Sequence, residues 1–113
     1  MTKIISYKEF EVVDIRVGTI IAAEENLKLN YPSIILKIDF GEKIGIKKSS
    51  AKLIKNYTPK DLINKQIAAV VNFKSKQIGN LISEVLVLGF PDTSNEPILI
   101  ETNIKIPNGG KLF

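Results

Sequence analysis

Along residues 34–40 apolar and polar side chains alternate: Ile34, Leu36, Ile38 and Phe40 fall on one side, Lys37 and Asp39 on the other. A period of two predicts a half-buried β-strand, because successive side chains of an extended backbone point to opposite faces. The same reasoning predicts four more strands. Ile15, Val17 and Ile21 alternate within 15–23, and Gly18 inside that run suggests a bulge or bend. After a turn at Gly41-Glu42, residues 43–48 predict a third strand with Ile44 and Ile46 inward. Residues 67–73 (IAAVVNF) and 85–90 (VLVLGF) predict the fourth and fifth, with Phe73, like Phe40, at an inward position.

Between the third and fourth strands the period changes. Ala51, Ile54 and Tyr57 recur at three-residue spacing with Leu53 alongside, and Lys52 and Lys55 share the opposite face. That pattern predicts an amphipathic helix of two turns capped by Ser49 or Ser50. Thr58-Pro59-Lys60-Asp61 predicts a second helical start: threonine cap, proline at the first position, acid at the third. Ser6-Tyr7-Lys8-Glu9 reads as a capping box ahead of a short helix over 7–12. Residues 24–33, ending in Tyr31-Pro32-Ser33, and residues 74–84 read as loops. Residues 91–97 are turn-rich, 98–106 extended, and 107–110 (PNGG) a turn. The order is helix, three strands, helical connection, two strands, tail. It is the ground plan of an all-β, five-stranded OB-fold Greek-key barrel with a helical connection between strands 3 and 4. In that fold ligands lie across strands 2–3, flanked by the loops joining strands 1–2 and 4–5, here 24–33 and 74–84.

Composition narrows the function. A chain of 113 residues, 44% hydrophobic and 25% charged, predicts one ordered domain over 1–113, with the helix and barrel in 8–90 and a C-terminal extension in 91–113. There is no long uncharged apolar run, and MTKIISYKEFEVV lacks a cleavable leader pattern. No membrane insertion and a cytoplasmic location are therefore expected. Cysteine is absent, which excludes disulfides and thiolate chemistry; histidine is absent, which removes the usual general base and the commonest metal ligand. The expectation is a non-catalytic binding protein without cofactor or metal.

Charge then points to a partner. The net charge is +4, but residues 43–76 hold nine lysines and one acid, a local excess of +8, while the flanking segments are mildly acidic. Such an excess attracts phosphates. The candidate set is Lys47, Lys48, Lys52, Lys55, Lys74 and Lys76, drawn from the end of strand 3, the predicted helix and the second binding loop. Lysines position phosphates without reading bases, so steep salt dependence and little sequence selectivity are expected. Aromatics are sparse: there is no tryptophan, and only Tyr31, in the first binding loop, is placed to stack on a base. That favours a structured RNA, recognised by shape and phosphate contacts.

Other patterns carry less. Gly41 to Gly45 fails as a phosphate loop, because three residues separate the glycines and Ile46 stands where the lysine belongs. Glu24-Glu25 reads as a solvated pair, and Asn56-Tyr57-Thr58 is a glycosylation acceptor only in an exported chain. Asn72, Ser83 and Glu84 border apolar strands and read as turn or barrel-mouth residues.

Three stretches in this order and spacing, FEVVDIRVGTI, KLIKNYTPKDLINKQIAAVVNF and SEVLVLG, resemble the stand-alone tRNA-binding-domain family over roughly residues 8–113. Within it the likeness is nearest to the branch described as secretion chaperones. The resemblance implies an OB barrel, and a homodimer built from terminal segments, here 1–12 and 91–113. The tail agrees on its own terms, since Ile98, Leu99, Ile100, Ile104, Ile106, Leu112 and Phe113 are more apolar side chains than an idle terminus shows to water. The resemblance also implies RNA contacts at Lys47, Ser49, Asn72, Lys76, Ser83 and Glu84, with tRNA or another structured RNA as partner and unfolded or export-bound polypeptides as the alternative. The chain departs from the family at two places. Ser75-Lys76-Gln77 stands where Pro-Arg-Lys is frequent, which removes a bidentate phosphate contact. Val85-Leu86 replaces Gly-Met, which makes the rim more apolar and suits a peptide. An enzyme, or a domain appended to a synthetase, is the reading from another class; the missing synthetase body and the absent histidine and cysteine oppose it.

Overall fold

The computed structural model describes residues 2–113; Met1, the first residue of the expected N-terminal element, lies outside the described residues. Ser6 caps α1 (Tyr7–Val12) as expected: its hydroxyl accepts from the Glu9 N–H at 3.2 Å, and the Glu9 carboxylate accepts from the Ser6 N–H at 3.1 Å. Five strands follow in one antiparallel sheet: β1 (Ile15–Glu25), β2 (Ile34–Asp39), β3 (Ile46–Ala51), β4 (Gln66–Val70) and β7 (Leu86–Val87), in the order β3-β2-β1-β4-β7. The sheet curls until its two edges nearly meet, giving the five-stranded OB barrel.

The core fills the inside of that curl. Ile34, Leu36 and Ile38 of β2, Ile20 of β1, Ile67 of β4 and Phe40 are buried, as the alternation of 34–40 requires. The inward face of β1 is the opposite of the expected one. Gly18 and Ile20 point into the core, while Ile15 and Val17 are only half-buried. Gly18 is not at a bulge; the register shifts between Ile20 and Ala22. A Cβ at Gly18 would lie 2.6 Å from Ile38 Cγ2 and 2.7 Å from the Phe40 ring, so the glycine is there for close packing. β1 looks apolar on both phases because both of its sides are covered. Beyond the point where β2 peels away, the C-terminal tail takes the open edge: Gly109 N–H donates to Val17 O at 2.8 Å and Leu112 N–H to Ile15 O at 2.8 Å.

The connection between β3 and β4 departs furthest from expectation. No helix occupies 49–57. Instead β3 runs on to Ala51, paired with β2 from Ile34 to Asp39, and only one turn follows, in which Leu53 O accepts from Asn56 and Tyr57 N–H. A two-turn helix is too short to nucleate on its own, and the strand ladder wins those residues. Thr58, extended ahead of Pro59, closes off any continuation. The second helical start is real: α2 (Pro59–Leu62) carries the Thr58–Asp61 capping box and buries Leu62 in the core.

The remaining segments are more ordered than loops. Residues 74–84 contain a hairpin, β5 (Lys76–Ile78) with β6 (Leu81–Ser83). The expected fifth strand is broken into β7 and β8 (Gly89–Pro91), and β8 pairs with β9 (Pro97–Leu99) across the 91–97 turn. Past Leu99 the tail is irregular and is held by side chains. Gln66, buried in β4, donates to Ile106 O at 2.6 Å and accepts from the Ile106 N–H at 2.9 Å. Among the described residues no helix is long and apolar enough to cross a membrane.

Candidate nucleic-acid interface

The binding side of an OB barrel is the outer face of β2 and β3 with its flanking loops. Register decides which side chains stand there. Leu36 and Ser49 lie opposite each other and both are buried, so Lys48, paired with Lys37, points outward. Lys37 therefore joins the cationic face, although sequence reasoning used it only as the polar phase of β2. The cross-strand pairing that brings it beside Lys48 cannot be read from either segment alone. Ile46, expected inside, is also on the outer face and is 56% exposed. Lys47 and Ser49 are on the inner phase. Lys47 is half-buried, with its Nζ 3.8 Å from Glu84 Oε2, a long and partly exposed pair of little energetic weight.

Beside the outer face of β3 lies a groove of about 540 Å3. Lys74 and Lys76 form its cationic rim, and Phe73, Ile78, Val85 and Leu86 its apolar lining, with Ser50, Ser83 and Glu84 completing it. Phe73 was expected inward, but β4 ends at Val70 and the ring is 57% exposed. A second hollow, of about 200 Å3, shares Ser50 and Leu86 with the groove and contains Lys52. Lys52 also stacks its ammonium 4.4 Å from the centroid of Tyr31, so one face of that ring is already occupied by a cation. Lys55 lines neither hollow, and Lys65 pairs with Glu101 at 3.1 Å in a different depression. Of the basic middle third, Lys74 and Lys76 thus rim the groove, Lys52 lies in the adjoining hollow and Lys47 reaches Glu84, while Lys48 stands with Lys37 on the outer β2–β3 face, which also carries Asp39.

The polar candidates have their side chains engaged within the protein. Lys48 N–H donates to Glu84 Oε1 at 3.0 Å and Ser50 N–H to Ser83 Oγ at 3.1 Å. Ser49 Oγ donates to Val85 O at 3.1 Å, and Glu84 N–H donates to Lys48 O at 2.8 Å. Together these bonds form the seam that brings the two edges of the barrel together. Asn72 accepts from Asp14 N–H at 3.0 Å and donates to Val12 O at 2.8 Å, tying the end of α1 to the sheet.

The fold and its flank define the class: an OB-fold domain whose strand 2–3 side is cationic. The chain belongs to the tRNA-binding-domain family; the family model described as "Putative tRNA binding domain" matches residues 15–111. Among solved structures it is similar to the chaperone CsaA from Bacillus anthracis (43% identity, TM-score 0.89, covering 98% of this chain and 100% of that one). It is equally similar to the CsaA chaperone protein from Picrophilus torridus (45% identity, TM-score 0.87, covering 97% and 100%). Among curated proteins, methionine–tRNA ligase from Chlorobium chlorochromatii is 29% identical over 105 residues, 93% of this chain. The chain spans about 14% of that ligase's length.

Proposed function

We propose that this chain is a CsaA-like, tRNA-binding protein with a chaperone role in protein secretion, acting by binding alone and without catalysis. The observation that supports the RNA reading is the pair Lys74 and Lys76 on the groove rim, with Lys52 in the adjoining hollow and Lys48 beside Lys37 on the outer β2–β3 face. Lys48, Lys52, Lys74 and Lys76 are exposed and offer phosphate contacts directly. Ser49, Asn72, Ser83 and Glu84 serve the interface indirectly, by fixing the seam and the β4 exit. Residues 1–113 act as one domain, in the cytoplasm. The apolar lining of the groove supports a second reading, an export chaperone that takes an unfolded polypeptide there with little affinity for RNA.

The terminal segments support a homodimer. Ile4, Tyr7, Val12, Leu112 and Phe113 are all exposed, and an apolar hollow of about 340 Å3 lies between β1 and the tail. Apolar side chains of the two termini lie together at the surface, which favours an interface over open solvent.

A salt titration of tRNA binding tests the RNA reading. Binding should weaken steeply with salt, and the slope should flatten by about 0.7–0.9 for each contacting lysine replaced by alanine at 48, 52, 74 or 76. No tRNA binding, or binding with no salt slope, defeats it. Peptide affinity that is insensitive to salt, with tRNA binding absent, establishes the alternative. Sedimentation that finds a monomer at every concentration overturns the dimer.

A further inference from the structure

Resting on the RNA reading above, we infer that the groove beside β3 holds one unpaired base of the RNA, stacked on the ring of Phe73, while Lys74 and Lys76 hold the adjoining phosphates.

Three observations carry this. First, Phe73 is the aromatic ring that the groove presents: it lines the groove and is 57% exposed. Tyr31, the ring that sequence alone would choose, has Lys52 over one face. Second, cations and ring are adjacent in chain and in space. Phe73, Lys74 and Lys76 line the same groove, so a base on the ring leaves its phosphates at the lysines. Third, the groove suits a flat heteroaromatic better than a rigid duplex. At about 540 Å3 it falls in the range of roughly 300–1,000 Å3 usual for small-ligand pockets, and its lining is predominantly apolar. A paired stem meets proteins through its phosphates and wide minor groove, and has no base to place in such a hollow. An unstacked base has two π-faces and gains from an exposed ring. The charge complementarity of the rim sets RNA above an uncharged polypeptide as the occupant.

Phe73 lies at the exit of β4, where no strand partner claims it. Asn72 immediately before it is fixed by two hydrogen bonds to the α1–β1 corner, which anchors the backbone under the ring.

The test compares two RNA probes on the full chain: a short single strand carrying one 2-aminopurine, and a blunt duplex of matched length. Binding of the single strand should quench 2-aminopurine fluorescence. Phe73→Ala and Phe73→Leu should each weaken the single strand about 5- to 150-fold, the equivalent of one lost stacking contact. The duplex should be affected less than 2-fold, about 0.4 kcal/mol by the same conversion. Phe73→Trp should retain or tighten binding. Because no phosphate contact is removed, the salt slope should stay unchanged in all three variants, whereas Lys74→Ala and Lys76→Ala should each flatten it by about 0.7. Phe73→Leu keeps apolar bulk and separates stacking from simple coverage. If the lysine variants change the slope while Phe73→Leu leaves single-strand affinity intact, the stacking inference is overturned and the RNA reading stands. If an unfolded peptide loses binding with Phe73→Ala while both RNAs do not, the groove belongs to polypeptide and the inference is overturned. If the wild-type chain binds neither RNA, the RNA reading fails with it.

Discussion

The seam between β3 and the strand entering β7 makes a sharp prediction, because side chains there do what backbone pairing does elsewhere. Of its four hydrogen bonds, three use a side chain: Lys48 N–H to Glu84 Oε1, Ser50 N–H to Ser83 Oγ, and Ser49 Oγ to Val85 O. Only Glu84 N–H to Lys48 O is backbone to backbone. Ser83→Ala removes the acceptor of the Ser50 N–H at a buried position and leaves that donor without a partner, which costs about 1–3 kcal/mol. With an unfolding entropy of roughly 2.1 cal/mol/K per residue, a chain of this length loses about 4 °C of Tm per kcal/mol. The expected loss is therefore about 4–12 °C, read by thermal melting at pH 7, with a parallel fall in the urea midpoint at constant slope. RNA affinity measured well below the new Tm should change less than 3-fold, about 0.65 kcal/mol, because the lysines are untouched. If Ser83→Ala melts within 1 °C of the wild type yet loses tenfold or more in RNA affinity, the serine is a ligand contact and not a seam residue. The two roles thus predict opposite pairs of results.

Four further outcomes follow from the structure. Glu84→Gln keeps an acceptor for the Lys48 N–H but frees Lys47 and removes the acid that lines the groove, so tRNA binding should tighten severalfold at low salt and converge with wild type at high salt. Gly18→Ala drives a methyl into Ile38 and Phe40 and should cost about 1–3 kcal/mol by overpacking, checked by urea unfolding; a neutral result would show that the core yields there. Gln66→Leu removes both hydrogen bonds to the Ile106 backbone, so amide exchange of residues 106–112 should quicken relative to the β2 core, and unchanged protection would refute the clamp. Asp92 has its carboxyl pulled below the ordinary value, first by the Asn56 side-chain amide, then by the N–H groups of Glu96 and Ser94. A depressed folded-state value stabilises above the unfolded carboxylate value, and the gain is lost as pH falls through the folded one. Tm should therefore drop more in the wild type than in Asp92→Ala as pH is lowered through and below the usual carboxylate range.

How much of the fold could be read in advance depended on whether a segment has one covered side or two. β2 buries one face and exposes the other, and its alternation gave element, phase and core residues together. The caps at Ser6 and Thr58 were legible because the bonds that form them span three residues and need nothing from the rest of the chain. β1 has the core on one face and, on the other, Ile15 and Val17 in a hollow shared with the tail, so its apolar residues occur in both phases and the phase read from them is inverted. The 49–57 segment failed for a related reason. Its three-residue spacing is helical in form, but Ser49 and Ser50 are held by partners more than thirty residues away, and such bonds leave no periodic trace in the local sequence. The 74–84 hairpin is three-residue strands around a turn, too short for a period of two to register.

The candidate site shows the same division between charge and shape. Lysines are exposed in nearly any fold, so a run of them in sequence survives folding as a cationic surface, here with Lys74 and Lys76 on the groove rim and Lys52 in the hollow beside it. The acceptors and donors around them follow other rules, since a serine or asparagine beside a strand end is claimed by whichever backbone group lacks a partner. That is why Ser49, Asn72 and Ser83 are bound to the protein itself, and why their polarity in the sequence could not distinguish a ligand contact from a seam. Phe73 is the reverse case. An aromatic at the end of an apolar strand reads as core, and only the termination of β4 at Val70 turns it outward. The ring and the lysines that follow it then form one groove, and the feature that gives the surface its chemical selectivity comes from where a strand stops, not from the strand's own pattern.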